Sequence, residues 1–164
     1  MPKTWTYGDE ADLALNTFVK LVRAHSTVMR IEAAHIRCDY GLTEPQFGVI
    51  EGLGHLGPMP MGELSRKRLV TGGNMTVVID NLEEQGLVRR DTNPEDRRSF
   101  TVALTAKGKA LFERIFPHHA DHMRHMFSVL DADEQRRLGD LLKTLGTRLQ
   151  AGLPAHMEDC NDQT

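Results

Sequence analysis

Residues 71–108 read TGGNMTVVIDNLEEQGLVRRDTNPEDRRSFTVALTAKG, and this stretch decides the fold. Within it Met75, Val78, Ile79 and Leu82 recur at i, i+3, i+4 and i+7, the spacing of one buried helical stripe. Asn74, Thr76, Val77, Asp80 and Asn81 fall off that stripe. Gly86 ends the helix as a C-cap, because glycine enters the left-handed region without a steric penalty. Leu87 to Asp91 and Phe100 to Leu104 have strand character, and the polar, turn-rich residues between them predict a hairpin with a long tip.

Moving outward toward the N-terminus, Gly62 to Leu69 reads as a short helix, and Thr71-Gly72-Gly73-Asn74 as the tight turn into the helix above. Pro58 and Pro60 predict a short extended piece. Thr43 and Gln46 form a capping box with Pro45 early in the helix, whose apolar positions include Phe47, Ile50 and Leu53 and which ends near Gly54 to Gly57. Before Gly41, residues Asp9 to about Arg37 carry Leu13, Phe18, Leu21, Val22, Val28, Met29 and Ile36 at helical steps, predicting one long helix. Toward the C-terminus, Thr105 caps a helix of about two dozen residues interrupted at Pro117. Asp131 and Glu134 open a last helix with stripe Leu138, Leu141, Leu142, Leu145 and Leu149. A frayed polar tail is expected from Gly152.

Composition narrows the function. The 164 residues carry a formal charge of −3, so a nucleic-acid case must be local rather than global. Three basic clusters stand out: Arg66-Lys67-Arg68, Arg89-Arg90 and Arg97-Arg98. No apolar run approaches the ~18 residues of a membrane span, and a reducing cytoplasm is expected because Cys38 and Cys160 make no disulfide framework.

Helix, short helix, tight turn, helix and hairpin in this order predict a winged helix-turn-helix, whose second helix enters the DNA major groove. Gly72 and Gly73 bring backbone close to a phosphate, Asn74 can pair with an adenine edge, and Thr76 and Val77 offer methyl contacts to thymine. Arg66 and Lys67 join the expected DNA-facing set, and Arg97 and Arg98 at the hairpin tip suit a narrow minor groove. A Gly-Gly pair alone is a turn, and a lone Asp-x-Arg is a surface pair worth under ~1 kcal/mol. Order and spacing inside one frame carry the inference.

Those same segments, GLTEPQ at 41–46, TGGNMT at 71–76, DNLEEQGLV at 80–88, and Asp96-Arg-Arg98 with LTAKG at 104–108, resemble the MarR family of bacterial regulators over about Asp9 to Leu149. The resemblance implies a homodimer built from the first, fifth and sixth helices, and Asp96 orienting Arg98 for minor-groove insertion. The expected class is therefore mainly α with a small β wing. Residues 9–38 form an N-terminal dimerisation helix, 42–104 the winged helix-turn-helix core, 105–150 the C-terminal dimerisation helices, and 152–164 a flexible tail. Arg68 departs from the resemblance, which implies an aliphatic residue there; its stem snorkels over the core or its charge meets phosphate.

The partners expected are a pseudo-palindromic double-stranded operator, a second copy of the chain and a small-molecule effector, with no membrane and no cofactor. A repressor released by a small aromatic or phenolic acid is the favoured reading. The effector is expected in a crevice lined by the first, second and fifth helices, with His25, His35 and Arg37 as anion partners or plain surface groups. The alternative effector is zinc, through His118 and His122 at i, i+4 in the run His118, His119, His122 and His125. Exposed, solvated histidines are the expectation there, and the resemblance would want another ligand where Gly48 stands. Cys38 is a redox candidate weighed against an ordinary buried or half-buried residue, since the position of the family's peroxide-sensing cysteine holds Val19. A metal-assisted hydrolase finds no His-Glu-x-x-His motif. A helical interaction module would bind no DNA.

Overall fold

The computed structural model describes residues 6–67, 75–92 and 100–152, with side chains at all of these except 65–67 and 92. The chain is mainly helical with a small antiparallel sheet, as its periodicity predicts. In order the elements are α1 (Asp9–His35), continued by a π-helical turn (Ile36–Tyr40), α2 (Glu44–Leu56), β1 (Met59–Pro60), α3 (Met61–Lys67), α4 (Met75–Glu84), β2 (Val88–Thr92), β3 (Phe100–Leu104), α5 (Ala106–Phe127) and α6 (Ala132–Ala151). Contacts divide the chain into two compact units, Met1–Phe116 and Pro117–Thr164.

In the first unit the capping box at Thr43 forms as its sequence requires, with Gln46 N–H donating to the threonine hydroxyl and the Gln46 side chain accepting from Thr43 N–H. Gly57, at φ 79°, ends α2. The α4 stripe buries Val78, Ile79 and Leu82 against Val49, Ile50 and Leu53 of α2 and Leu64 of α3, with Met59, Leu87, Val88 and Val102 closing the core from the sheet. Among the described residues eleven buried side chains make this cluster, which holds α4 against α2, α3 and the sheet. A second cluster joins Ile36, Leu42, Phe47 and Ile115, with Tyr40 and Leu111 against it. The sheet runs β1-β3-β2, and β2 pairs β3 in a hairpin that sets Arg90 opposite Val102.

Two boundaries differ from the sequence reading, and the expected extended piece gains a pairing partner. The first helix does not stop near Arg37: it continues as a π turn to Tyr40, where Gly41 at φ 68° ends it and Leu42 N–H reaches back to the Ile36 carbonyl. The Pro58–Pro60 piece supplies a strand to the sheet, Met59 pairing with Val102. Pro117 does not interrupt the fifth helix, which runs through it to Phe127 at the cost of one backbone donor.

In the second unit Asp131 caps α6, accepting from Asp133 and Glu134 N–H while the Glu134 carboxylate accepts from Asp131 N–H. Gln135 ties the turn down through the carbonyls of Phe127 and Leu130. No residue of α6 is buried, and none of α1 in the first unit is either.

Candidate DNA interface and the cleft behind it

With Val78, Ile79 and Leu82 turned inward, α4 exposes Thr76 and Val77 in its first turn, Val77 at 51 %. These are the two described members of the expected DNA-facing set whose side chains are visible. Gly72, Gly73, Asn74, Asp96, Arg97 and Arg98 lie outside the described residues, as do Arg68 and the side chains of Arg66 and Lys67.

The angle of α4 against the wing is held by charge. Arg90 on β2 is half-buried; its guanidinium donates to the Glu83 carboxylate at 2.5 Å and to Asp80, while its backbone N–H donates to Glu83 Oε1 at 3.1 Å. The same guanidinium lies 5.2 Å from the Phe100 ring centroid on β3. The Asp80 and Glu83 carboxylates raise the Arg90 pKa further above its ordinary value, against the opposing pull of burial. Beside it Arg89 grips both oxygens of Asp91 at 3.0 and 3.1 Å and reaches the Leu104 carbonyl. The basic pair Arg89-Arg90 is thus a scaffold of the wing rather than a free phosphate contact. Its signal in sequence is faint, because the partners of Arg90 sit seven and ten residues upstream on another element.

Thr105 locks the other end. Its hydroxyl donates to the Gly86 carbonyl at 2.6 Å and accepts from Gly108 N–H at 3.1 Å, so the turn after α4 and the start of α5 are one hydrogen-bonded corner. Lys107 adds a bond from its ammonium to the Gln85 carbonyl at 2.7 Å. Against this corner a cleft of about 550 Å³ opens between the π turn, the end of α4 and the first turns of α5. Leu42, Leu87 and Leu111 supply apolar lining, and Lys107 and Arg114 supply charge.

The junction of α1 with α2 has the opposite character. Glu32 is held near Glu51 and Glu44, and burial with their repulsion pushes its pKa up to about 7. Nearby, His35 is already engaged, Nδ1 with Asp39 at 2.5 Å and Nε2 with the Tyr40 hydroxyl at 2.7 Å. Burial first, and then Asp39 and Glu32, push Tyr40 up to about 12. His25 and Arg37 are exposed.

Two expectations need correction. The α5 histidines are not uniformly solvated: His118 and His125 are exposed, but His119 is buried and His122 half-buried, so the i, i+4 pair spans two environments. No group of three His, Cys, Asp or Glu side chains among the described residues is arranged to hold a metal ion. Cys38 is exposed on the π turn, not buried. Gly48 is buried in α2, and Val19 is exposed on α1.

With this geometry the comparisons agree. The MarR family model matches residues 42–100. The HTH-type transcriptional regulator MhqR of Bacillus subtilis is 35 % identical over 133 residues, covering 81 % of this chain and 91 % of that one. A HTH-type transcriptional repressor of Mycobacterium tuberculosis is 31 % identical over 120 residues, 73 % of this chain and 86 % of its own. Among solved structures, that of Bordetella bronchiseptica BpsR, whose DNA binding is regulated by 6-hydroxynicotinic acid, superposes with a TM-score of 0.71 at 26 % identity, covering 80 % of this chain and 98 % of that one.

Proposed function

We propose, from the premise that this chain belongs to the MarR family of DNA-binding transcriptional regulators, that it is a repressor released from its operator by a small aromatic acid. Members of that family act as dimers and work by binding rather than turnover. The observation that carries the reading is α4: three core residues fix it while Thr76 and Val77 are exposed on its outer face. In the major groove those methyl groups meet thymine, and Asn74, the residue just before α4, pairs with an adenine edge. Gly72 and Gly73 admit a phosphate to the helix start, Arg66 and Lys67 contact the backbone, and Asp96 steadies Arg98, which with Arg97 enters the minor groove. The aromatic-acid effector is supported by BpsR, a structural neighbour that answers to 6-hydroxynicotinic acid. Such a regulator works beside the chromosome, in the cytoplasm.

An operator selected from random duplexes, then titrated by fluorescence anisotropy at several salt concentrations, tests this. Asn74→Ala is expected to relax preference at one base pair by about 1–3 kcal/mol. Arg98→Ala is expected to weaken all sequences alike and flatten the salt slope by roughly one counterion. Adding aromatic acids, or zinc with and without a chelator, separates the two effector classes. Zinc shifting the curve alone, with His122→Ala abolishing the shift, would replace the acid by the metal.

A further inference from the structure

We propose that Asn81, one turn beyond Val77 on α4, is a further base-reading residue, pairing with an adenine about two base pairs from the thymine that Val77 meets. This deepens the DNA-reading assignment above and rests on it. Val78, Ile79 and Leu82 fix which side of α4 is turned inward. The remaining side chains fall on two faces. Thr76, Asp80 and Glu83 follow one another at i, i+4 and i+7, and Val77, Asn81 and Glu84 do the same beside them. Arg90 draws Asp80 and Glu83 of the first face toward the hairpin, where its guanidinium lies 5.2 Å from the Phe100 ring centroid. The second face lies on the side away from that clamp and is exposed from end to end.

On that second face Asn81 is the polar, uncharged member, and its amide makes no hydrogen bond among the described residues. Asparagine is a poor helix former, so α4 gains nothing from it internally. A phosphate offers this side chain little, because the amide is neutral, Val77 one turn before it is apolar, and Glu84 beyond it repels the backbone charge. A base edge suits it better. Adenine presents N7 as acceptor and the N6 amino group as donor, the complement of one asparagine amide, while the neighbouring Val77 methyls suit the methyl of thymine. Four residues of helix rise about 6 Å, the height of about two base pairs. The clamp matters to this reading, since it holds the Asp80 carboxylate away from bases whose exposed edges are rich in acceptors. Glu84 ends the stripe, its charge opposing any closer approach of the last turn to the phosphates.

The selected operator is rebuilt with 7-deazaadenine, which lacks N7, at each adenine in turn, and with deoxyuridine, which lacks the methyl, at each thymine. Each duplex is titrated by anisotropy against wild type, Val77→Ala and Asn81→Ala. The penalty is the affinity ratio of natural to modified duplex on one and the same protein, so a loss of folded protein cancels. In wild type a 7-deazaadenine penalty of about two- to tenfold is expected about two base pairs from the thymine whose deoxyuridine penalty Val77→Ala removes. Asn81→Ala is expected to remove that adenine penalty, to relax preference at that base pair by about five- to hundredfold, and to keep the deoxyuridine penalty. If Asn81→Ala weakens every duplex alike and keeps each 7-deazaadenine penalty, the amide serves phosphate and the proposal fails. It fails as well if Asn81→Ala removes no adenine penalty while Val77→Ala still removes a deoxyuridine penalty, a result that leaves α4 in the groove. If wild type prefers no duplex over another, the DNA-reading assignment itself fails and takes Asn81 with it.

Discussion

Gly108 shows how a single atom is excluded. A Cβ built there would lie 2.0 Å from the Leu87 carbonyl oxygen, and that oxygen is backbone already accepting from Thr105 N–H at 3.0 Å. The LTAKG segment is therefore a packing device: threonine caps α5, and glycine three residues later lets the helix touch the strand start. Gly108→Ala gains helix propensity but forces the corner apart. A net loss of about 1–3 kcal/mol is expected, read as a lower midpoint in urea unfolding. An unchanged midpoint would show that the corner yields freely. Glu32 supplies a second prediction, with its sign fixed by linkage. Its folded pKa of about 7 lies above the ordinary 4.5, so ionisation costs the folded state more than the unfolded one. That cost is absent below 4.5, grows between 4.5 and about 7, and is complete above. Glu32→Gln removes it. The variant is expected to melt above wild type at about pH 8 and to converge with it near pH 4.5, as differential scanning fluorimetry across pH will show. Parallel curves would mean that neither burial nor the neighbouring Glu51 and Glu44 raises its pKa in the folded chain.

At the scale of elements, Arg90 binds α4 to the hairpin. Its removal leaves Asp80 and Glu83, one turn apart on α4, repelling each other without their shared cation. Arg90→Met is expected to cost about 2 kcal/mol, the half-exposed carboxylates softening what a fully buried pair would lose. A double-mutant cycle with Asp80→Asn isolates the coupling, and additivity would show that Arg90 serves only through its stem. This link was not legible in sequence, where Arg89-Arg90 reads as one basic cluster. Ion pairs between elements depend on which side chains the fold brings together, and no period encodes that. What the period does encode came through. The α4 stripe, both capping boxes, Gly86 at φ 67° and the hairpin strands stand within a residue or so of their reading. The π turn did not, because one inserted residue is set by its neighbours' register; the Pro58–Pro60 piece is extended as read, but its pairing with β3 is a tertiary matter that no period encodes. Spacing likewise groups the α5 histidines by face without saying that His119 is covered. The cleft was half legible: Lys107 and Arg114 share a face on any helical wheel, but Tyr40, Gln85 and Leu87 arrive there only through the fold.

For the whole molecule the uncovered surfaces decide. Leu13, Phe18, Val22 and Met29 of α1 stay exposed within the Met1–Phe116 unit, as do Leu138, Leu141, Leu142, Leu145 and Leu149 of α6 within the other. Contiguous apolar faces of that kind on a monomer mark an association surface, and a second copy of the chain is the partner a MarR protein brings to them. A dimer presents two α4 helices to successive major-groove faces, so the half-sites must lie about one helical turn, ~10 bp, apart. Association and DNA recognition are then one property of the dimer. Replacing Leu141 and Leu145 by Asp leaves the core around α4 intact, because neither side chain enters it. Sedimentation should then give the mass of a single chain, with helical circular dichroism retained. Operator affinity should fall by more than about a hundredfold, since two weak half-site contacts no longer act at a shared effective concentration. Inserting about 5 bp between half-sites should cost wild type a similar factor, by turning one half-site to the far side of the duplex. A monomeric variant that holds the operator as tightly as wild type, and is indifferent to the inserted spacing, would break the connection between the α6 face and DNA binding.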